Sequence, residues 1–115
     1  MSKKLIADLF AAVDANDWNA LSAVLHEDVV YERPGYDPLV GRDRVLYFYA
    51  NERVVAQGHH EPECVMAEGG VGLCSGRFHG TKKDNTQADE RFADVYEFEG
   101  GRIRHRITYF FRPAI

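Results

Sequence analysis

Residues 92–111 read FADVYEFEGGRIRHRITYFF, which places two runs of alternating apolar and polar side chains on either side of Gly100 and Gly101. Alternation with a period of two is typical of β-strands that bury one face. Glycine adopts positive φ without steric cost, so a glycine pair between two such runs favours a tight hairpin turn. The stretch therefore predicts two antiparallel strands, at about residues 88–98 and 102–111.

The alternation also predicts which side chains of these strands face the core. The second strand is predicted to bury, in order, Ile103, His105, Ile107, Tyr109 and Phe111. The opposite face then carries Arg104, Arg106, Thr108, Phe110 and Arg112, a basic outer surface. On the first strand, one face carries Phe92, Asp94, Tyr96 and Phe98. With that aromatic face inward, Asp94 is a carboxylate in an aromatic pocket.

The preceding residues supply the rest of the sheet and three helices. Two further alternating runs, at about residues 59–67 and 71–80, extend the hairpin into a four-stranded meander. Helical spacing of apolar residues is found in three segments: 3–15, a short segment after an Asp17 cap, and 42–57, ending at Gly58.

Between the second and third helices, residues 29–33 form a short strand that ends at Pro34 and Gly35. Helices followed by a meander predict an α+β fold with three N-terminal helices packed in a strongly curved, mainly antiparallel sheet.

The composition limits the classes of protein. The chain has 115 residues with a formal net charge of −4 and 45% hydrophobic residues, which indicates one domain over residues 1–115. No apolar run approaches the roughly 20 residues of a membrane helix, and no basic cluster suits nucleic acid. The first residues lack the apolar stretch of a secretion signal, so a cytoplasmic location is expected.

The cysteines indicate neither a metal centre nor a redox motif. Cys64 and Cys74 form no C-x-x-C pair and have no histidine at ligand spacing, so we expect two buried, reduced thiols. The adjacent His59 and His60 would point to opposite faces of a strand. No metal and no cofactor are expected.

Several strings, in this order and spacing, resemble a known group. They are ANDW at 15–18, LHEDVVYE at 25–32 followed by Pro34, Gly41-Arg42 leading to FYAN at 48–51, and ADVYEF at 93–98 followed by Gly101-Arg102-Ile103. The chain resembles the nuclear transport factor 2-like superfamily, in its SnoaL-like and ketosteroid isomerase-like branch. The resemblance implies a cone-shaped cystatin-like roll with one pocket, and a homodimer.

The resemblance also implies roles for single residues. Asp94 matches the carboxylic acid with which ketosteroid isomerases donate a hydrogen bond to the enolate oxygen. Tyr49 matches a tyrosine that supports the pocket. Two departures stand out: Leu9 and Phe10 replace the oxyanion tyrosine, and Arg33, before Pro34, replaces the aspartate base. Because a guanidinium cannot accept a proton from carbon, the usual steroid isomerisation is not expected.

Alternation places Tyr31 and Arg33 on one face of their strand and Glu32 on the other, unless a bulge near Pro34 exchanges them. An inward Arg33 would either pair with Asp94 or hold an oxygen atom of a ligand. Pairing would lower the pKa of Asp94, whereas isolation among aromatic rings would raise it. His105 is the second candidate for proton transfer.

These residues predict a cofactor-free acid–base enzyme, of isomerase, cyclase or hydrolase type, on a small, largely apolar oxygenated molecule. The predicted catalytic residues are Asp94 and His105, and the predicted ligand-binding residues are Tyr31, Arg33, Tyr49, Tyr96 and Tyr109. One alternative is a non-catalytic module that binds such a small apolar or aromatic ligand. The other is a dimeric interaction module that uses the outer face of the sheet, with Ala93, Val95 and Phe110.

Overall fold

The computed structural model describes residues 2–113, which form three short helices and a six-stranded sheet. The elements are α1 (Ser2–Asp14), α2 (Trp18–Val24), β1 (Leu25–Glu32), β2 (Leu39–Val40), α3 (Arg42–Tyr47) with a π-helical turn (Phe48–Glu52), β3 (Val55–Glu68), β4 (Val71–Lys82), β5 (Gln87–Glu99) and β6 (Arg102–Phe110).

The sheet has the strand order β2-β1-β6-β5-β4-β3, and every neighbouring pair is antiparallel except β1 with β6. Irregularities interrupt three of the pairings, and such bulges bend and twist a sheet. Helix α1 packs on β3 and β4. The predicted α+β fold, with three helices held in a curved and mainly antiparallel sheet, is confirmed.

Helices α1 and α2 form a hairpin that is stabilised by a buried apolar stripe and by a capping side chain. Helix α1 buries the stripe Ile6, Leu9, Phe10, Ala12 and Val13. It ends at Asp14, and Asn16 in the turn that follows has a φ of 52°, a conformation that asparagine tolerates better than most residues. The Asp17 side chain caps α2 by accepting a hydrogen bond from the Ala20 amide at 3.1 Å. Strand β1 then begins at Leu25, four residues before the predicted start at Val29.

The predicted long helix over residues 42–57 is wrong. Helix α3 and its π-helical turn end at Glu52, and Arg53 is already extended, with φ −62° and ψ 145°. The β-branched residues Val54 and Val55 favour a strand over a helix here. Gly58, predicted as the helix stop, lies inside β3, where an added Cβ would come within 2.1 Å of the Phe78 ring.

The predicted inner face of β6 is also wrong beyond its first residue. Ile103 pairs with Phe98 and His105 pairs with Glu97. Arg104, between them on β6, is therefore an extra residue that has no pairing partner on β5. An extra residue reverses the alternation that follows it. Arg106 and Thr108 are consequently buried, while Tyr109 is 55% exposed.

Two smaller expectations concern exposure. Cys74 is buried as predicted, whereas Cys64 is exposed, and both are free thiols. Within residues 2–113, every helix is too short or too polar to cross a membrane.

Candidate functional site

The inner side of the sheet and the junction between the π-helical turn and β3 enclose a cavity of about 40 Å³. Its polar lining consists of Tyr31, Arg33, Tyr49, Arg53, His60, Arg106 and Thr108. Its apolar lining consists of Val54, Val55, Phe78, Phe92 and Phe110. A cavity needs roughly 10–15 Å³ to hold one water molecule, so this cavity has room for a small functional group.

Asp94 faces inward from β5 but lies behind the cavity wall. It is 1% exposed. Its Oδ2 accepts hydrogen bonds from Arg106 Nε at 3.1 Å, Arg106 Nη2 at 2.9 Å and the Tyr96 hydroxyl at 2.7 Å. Its Oδ1 accepts from the Thr108 hydroxyl at 2.6 Å. With four donors around it, Asp94 acts on the cavity through Arg106 and Thr108 rather than by touching a ligand.

Arg106 lines the cavity and is hydrogen-bonded to Asp94 behind it. Burial lowers the pKa of this guanidinium, but Asp94 together with the hydroxyl groups of Tyr31, Tyr49 and Tyr96 more than offsets that effect, and the pKa of Arg106 stays well above its usual value. Nη1 of Arg106 donates to the Tyr49 hydroxyl at 2.7 Å, and its guanidinium carbon lies 4.5 Å from the centre of the Tyr31 ring. Arg106 is therefore a fixed cation, oriented for an oxygen atom in the cavity.

Tyr49 lines the cavity as the resemblance implies, and burial raises the pKa of its hydroxyl well above the usual value. The hydroxyl therefore stays protonated at neutral pH. Its roles in ligand binding and support remain predictions.

Tyr31 and Arg33 also line the cavity, on the face that alternation predicts. The Thr108 hydroxyl donates to Asp94, so it accepts from the Tyr31 hydroxyl at 2.9 Å. Arg33 Nη1 in turn donates to the Tyr31 hydroxyl at 3.4 Å. Of the two partners that the sequence left open for Arg33, Asp94 is taken by Arg106, so Arg33 remains a candidate for holding a ligand oxygen.

His105 does not lie on the inner wall, and the prediction of its placement is wrong. Its Nε2 lies 2.6 Å from Glu32 Oε2 and its Nδ1 lies 2.9 Å from Glu97 Oε2. The extra residue Arg104 turns His105 to the outer side, where it lines a separate open groove. The same reversal exposes Tyr109, which therefore cannot line the cavity.

Tyr96 is fully buried, but its hydroxyl is held by Asp94 behind the cavity wall. Burial raises the pKa of this hydroxyl well above its usual value. The position of Tyr96 suits a support for Asp94 better than a contact with a ligand.

His60 is the titratable residue of the cavity that sequence reasoning missed. Its Nδ1 lies 2.6 Å from Asp14 Oδ1, and its backbone amide donates to Asp14 Oδ2 at 2.9 Å. The ring stacks on Phe10 with centroids 4.5 Å apart. Burial lowers the pKa of His60, and the hydrogen bond that His60 donates to Asp14 opposes this effect only in part. His60 is thus neutral at pH 7.

The hydrogen bond assigns the proton of this neutral ring. Because Nδ1 faces a carboxylate, Nδ1 carries the proton and Nε2 holds a free lone pair. Within residues 2–113, Nε2 has no hydrogen-bond partner. Alternation places His60 and His59 on opposite faces of β3. The contact of His60 with Asp14 spans 46 positions, so no local sequence pattern predicts it.

Arg53 is the second residue that the sequence did not single out. It is 7% exposed, and its Nη2 donates to the side-chain oxygen of Asn16 at 2.8 Å. Its Nε is buried and has no hydrogen-bond partner in the described part of the chain. The early end of the third helix places Arg53 here, since an extended Arg53 leads directly into β3.

Together the cavity holds a neutral imidazole, three guanidinium groups and three hydroxyl groups, and none of its lining residues in the 2–113 range is a carboxylate. A base beside fixed cations can remove a proton and stabilise the negative charge that develops on a neighbouring oxygen.

Solved structures with the same fold include several with different chemistry. An LEH-like epoxide hydrolase of M. tuberculosis has a TM-score of 0.82 at 20% identity, over 93% of this chain and 80% of that chain. An NTF2-like protein of unknown function from Burkholderia pseudomallei has a TM-score of 0.83 at 21% identity, over 96% and 92%. A ketosteroid isomerase-like protein from Catenulispora acidiphila, in complex with trimethylamine, has a TM-score of 0.81 at 18% identity, over 91% and 83%.

At these identities the likeness shows the fold alone, and one fold hosts many functions. No curated protein has significant sequence similarity to this chain. The model of the SnoaL-like domain family matches residues 6–106, so the chain belongs to that family, as the resemblance of its sequence strings predicted.

Proposed function

We propose that this chain is a cofactor-free acid–base enzyme that moves a proton beside a carbonyl or hydroxyl group of a small oxygenated molecule. The observation that carries the proposal is the buried pair of His60 and Asp14 in the same cavity as Arg106. Each group has one chemical task, and neither task requires a cofactor.

His60 is the proposed base. Its Nε2 takes a proton from the substrate, and the imidazolium that forms is stabilised by the Asp14 carboxylate 2.6 Å from Nδ1. Asp14 also holds the ring in the tautomer that leaves Nε2 unprotonated. The same Nε2 returns the proton to another atom of the substrate, which completes an isomerisation.

Arg106 is the proposed site for the substrate oxygen. Loss of a proton next to a carbonyl group places negative charge on the oxygen, and a preorganised guanidinium in a water-poor site stabilises that charge strongly. Asp94 has a positioning role here, because its two contacts with Arg106 fix the plane of the guanidinium. This role replaces the direct acid or base role that the sequence predicted for Asp94.

Isomerisation and cyclisation fit this cavity better than hydrolysis. Both need one base and one oxyanion site, whereas hydrolysis also needs room for a water molecule beside the substrate. The cavity offers one base and fixed cations, which is what the first two reactions require. A non-catalytic module would use the same cations to hold a ligand and would leave the His60 lone pair unused.

The test measures exchange of α-hydrogens with D2O by NMR, using cyclohexanone, acetophenone and 4-oxopentanoate as probes. The wild type should accelerate exchange on at least one probe, and His60→Gln should lower that rate about a hundredfold or more. His79→Gln is the matched control, because the His79 side chain is 44% exposed and lies beside Glu61 and Asp89 rather than beside Asp14. No acceleration by the wild type, or equal rates in His60→Gln, would contradict the proposal; a probe retained unchanged in native mass spectrometry would favour the binding module.

We also propose a homodimer that forms through the outer face of the sheet. Support comes from exposed apolar side chains on neighbouring strands, among them Met66, Leu73 and Tyr109, at 60%, 49% and 55% exposure. Phe110, which the sequence assigned to this face, lines the inner cavity instead. Sedimentation should give a dimer for the wild type and a monomer for Leu73→Glu; a monomeric wild type at micromolar concentration would refute it.

A further inference from the structure

Arg53 carries a buried positive charge that forms no ion pair with a carboxylate of residues 2–113. Its side chain donates to a neutral amide, that of Asn16, and its guanidinium carbon lies 5.5 Å from the centre of the Tyr49 ring. The nearest acidic influence on it is Asp14, which is hydrogen-bonded to His60. Burial lowers the pKa of Arg53, as expected for a desolvated cation that lacks a full counter-charge.

The unsatisfied atom of Arg53 is its Nε. A buried donor without an acceptor is costly, and natural proteins rarely keep one without a reason. The Nε and Nη groups of arginine form a planar fork that matches a carboxylate. A ligand carboxylate at this position would satisfy the buried Nε and neutralise the charge.

Arg53 also lies where the inner cavity meets an outer groove. Together with Val54 it lines both the cavity and this groove of about 560 Å³. Lys82 and Lys83 line the groove. The groove next to Arg53 therefore carries lysine side chains, whose positive charge attracts anions.

Two acidic residues of the groove do not cancel this charge. Glu52 Oε1 lies 2.9 Å from Arg44 Nη2, so it has a cation of its own. The Asp84 carboxylate accepts hydrogen bonds from the amide and hydroxyl of Thr86 at 3.0 and 2.6 Å. Neither is paired with Arg53.

Tyr49 connects Arg53 with the proposed reaction centre. Arg53 lies beside the ring of Tyr49, and Arg106 donates to the hydroxyl at the end of that ring, at 2.7 Å. Two cations thus flank one side chain, Arg53 at its ring and Arg106 at its hydroxyl. A small molecule with an oxygen function at each end would contact both.

We propose that the ligand is a small oxo carboxylic acid, whose carboxylate is held by Arg53 and whose carbonyl oxygen is held by Arg106. This inference rests on the proposed function, because it assigns the carbonyl end to the reaction centre. The carbonyl end occupies the inner cavity, and the carboxylate stays at the mouth, next to the outer groove.

The test compares 4-oxopentanoate with 4-oxopentanamide, which differ in charge and share a similar size. Dissociation constants are measured by NMR titration at constant ionic strength. The wild type should bind the carboxylate about tenfold more tightly than the amide, since a charge-assisted hydrogen bond is worth about a factor of ten or more. Arg53→Gln should reduce this preference to less than about twofold, and Arg53→Lys should retain part of it.

Arg102→Gln is the control, because Arg102 is an exposed arginine at the turn between β5 and β6, and it should keep the full preference. Equal affinity of the wild type for both probes, including no binding of either, overturns the inference, as does an unchanged preference in Arg53→Gln. A carboxylate preference without α-hydrogen exchange would leave the Arg53 site standing and reject the catalytic proposal. Exchange of α-hydrogens on all the ketone probes, without tighter binding of the carboxylate, would reject the Arg53 site and leave the catalytic proposal standing.

Discussion

Asp94 and Arg106 form a buried ion pair in which both Nε and Nη2 of the guanidinium donate to one carboxylate oxygen, at 3.1 and 2.9 Å. The two side chains are 0% and 6% exposed. The pair joins β5 to β6 and, together with the hydrogen bond from Thr108, connects Asp94 with the cavity. Its stability and its effect on the site can be tested separately.

Asp94→Asn should destabilise the fold by about 3–5 kcal/mol, because it leaves the charge of Arg106 buried without compensation. Urea unfolding at pH 7 measures this change. Glu63→Gln is the control, since Glu63 meets Arg77 at 3.6 Å on the surface and should cost less than about 1 kcal/mol. An equally small cost for Asp94→Asn would show that the pair does not hold the two strands.

The free energy of unfolding should fall as the pH is lowered from 7 through the pKa of an unfolded histidine, about 6.5. The folded chain holds His60 with a lowered pKa, so the unfolded chain binds more protons in this window, and stability rises with pH there. The slope from this one group is at most about 1.4 kcal/mol per pH unit.

His60→Gln should flatten this part of the pH profile. His79→Gln, at an exposed histidine beside Glu61 and Asp89, should leave it unchanged. Chemical denaturation at pH 5.5, 6.0, 6.5 and 7.0 gives the comparison. Equal slopes of unfolding free energy against pH in the wild type and in His60→Gln would mean that burial does not lower the pKa of His60.

His105→Gln should leave α-hydrogen exchange within about twofold of the wild type, whereas His60→Gln loses about a hundredfold or more. The reason is position: His105 lies between Glu32 and Glu97 on the outer side, and His60 lines the cavity. Exchange rates on the same probe provide the measurement. A large loss in His105→Gln with normal unfolding behaviour would reassign the base.

Gly76→Ala should destabilise the fold by about 1–3 kcal/mol, because the added Cβ would lie 2.3 Å from the carbonyl oxygen of Glu61 and 2.9 Å from Cα of Pro62. Both obstacles are backbone atoms of the neighbouring strand. At Gly72 the added Cβ meets mainly the ring of Phe98, at 2.8 Å, and a ring can turn. Gly76→Ala should therefore have a lower melting temperature than Gly72→Ala in thermal unfolding. The opposite order would contradict this packing.

The fold could be predicted from local pattern to a large extent. Asp17 caps α2 as its sequence suggests, and Gly69-Gly70 and Gly100-Gly101 all adopt positive φ at the two hairpin turns. The third helix was predicted too long because residues 53–57 continue an apolar pattern that suits either element. A tertiary contact, Gly58 under the Phe78 ring, favours the strand.

The site was predictable only in part. Tyr31, Arg33 and Tyr49 lie at the cavity, where alternation and the family resemblance placed them. Asp94 and Tyr96 lie one layer behind it, and His105 and Tyr109 lie outside, because one extra residue in β6 reverses every side chain after it. No composition or spacing rule marks Arg104 as that residue.

Periodicity, glycine pairs and capping residues are local properties, and they were sufficient for the α+β class, the order of elements and the inward face of β5. Strand register and long-range contacts are not local: they depend on how β6 pairs with β5 and on how the end of α1 meets β3. The tertiary structure alone therefore decided that Arg106 takes Asp94 as its partner, and that His60, held by Asp14 across 46 positions, lines the cavity.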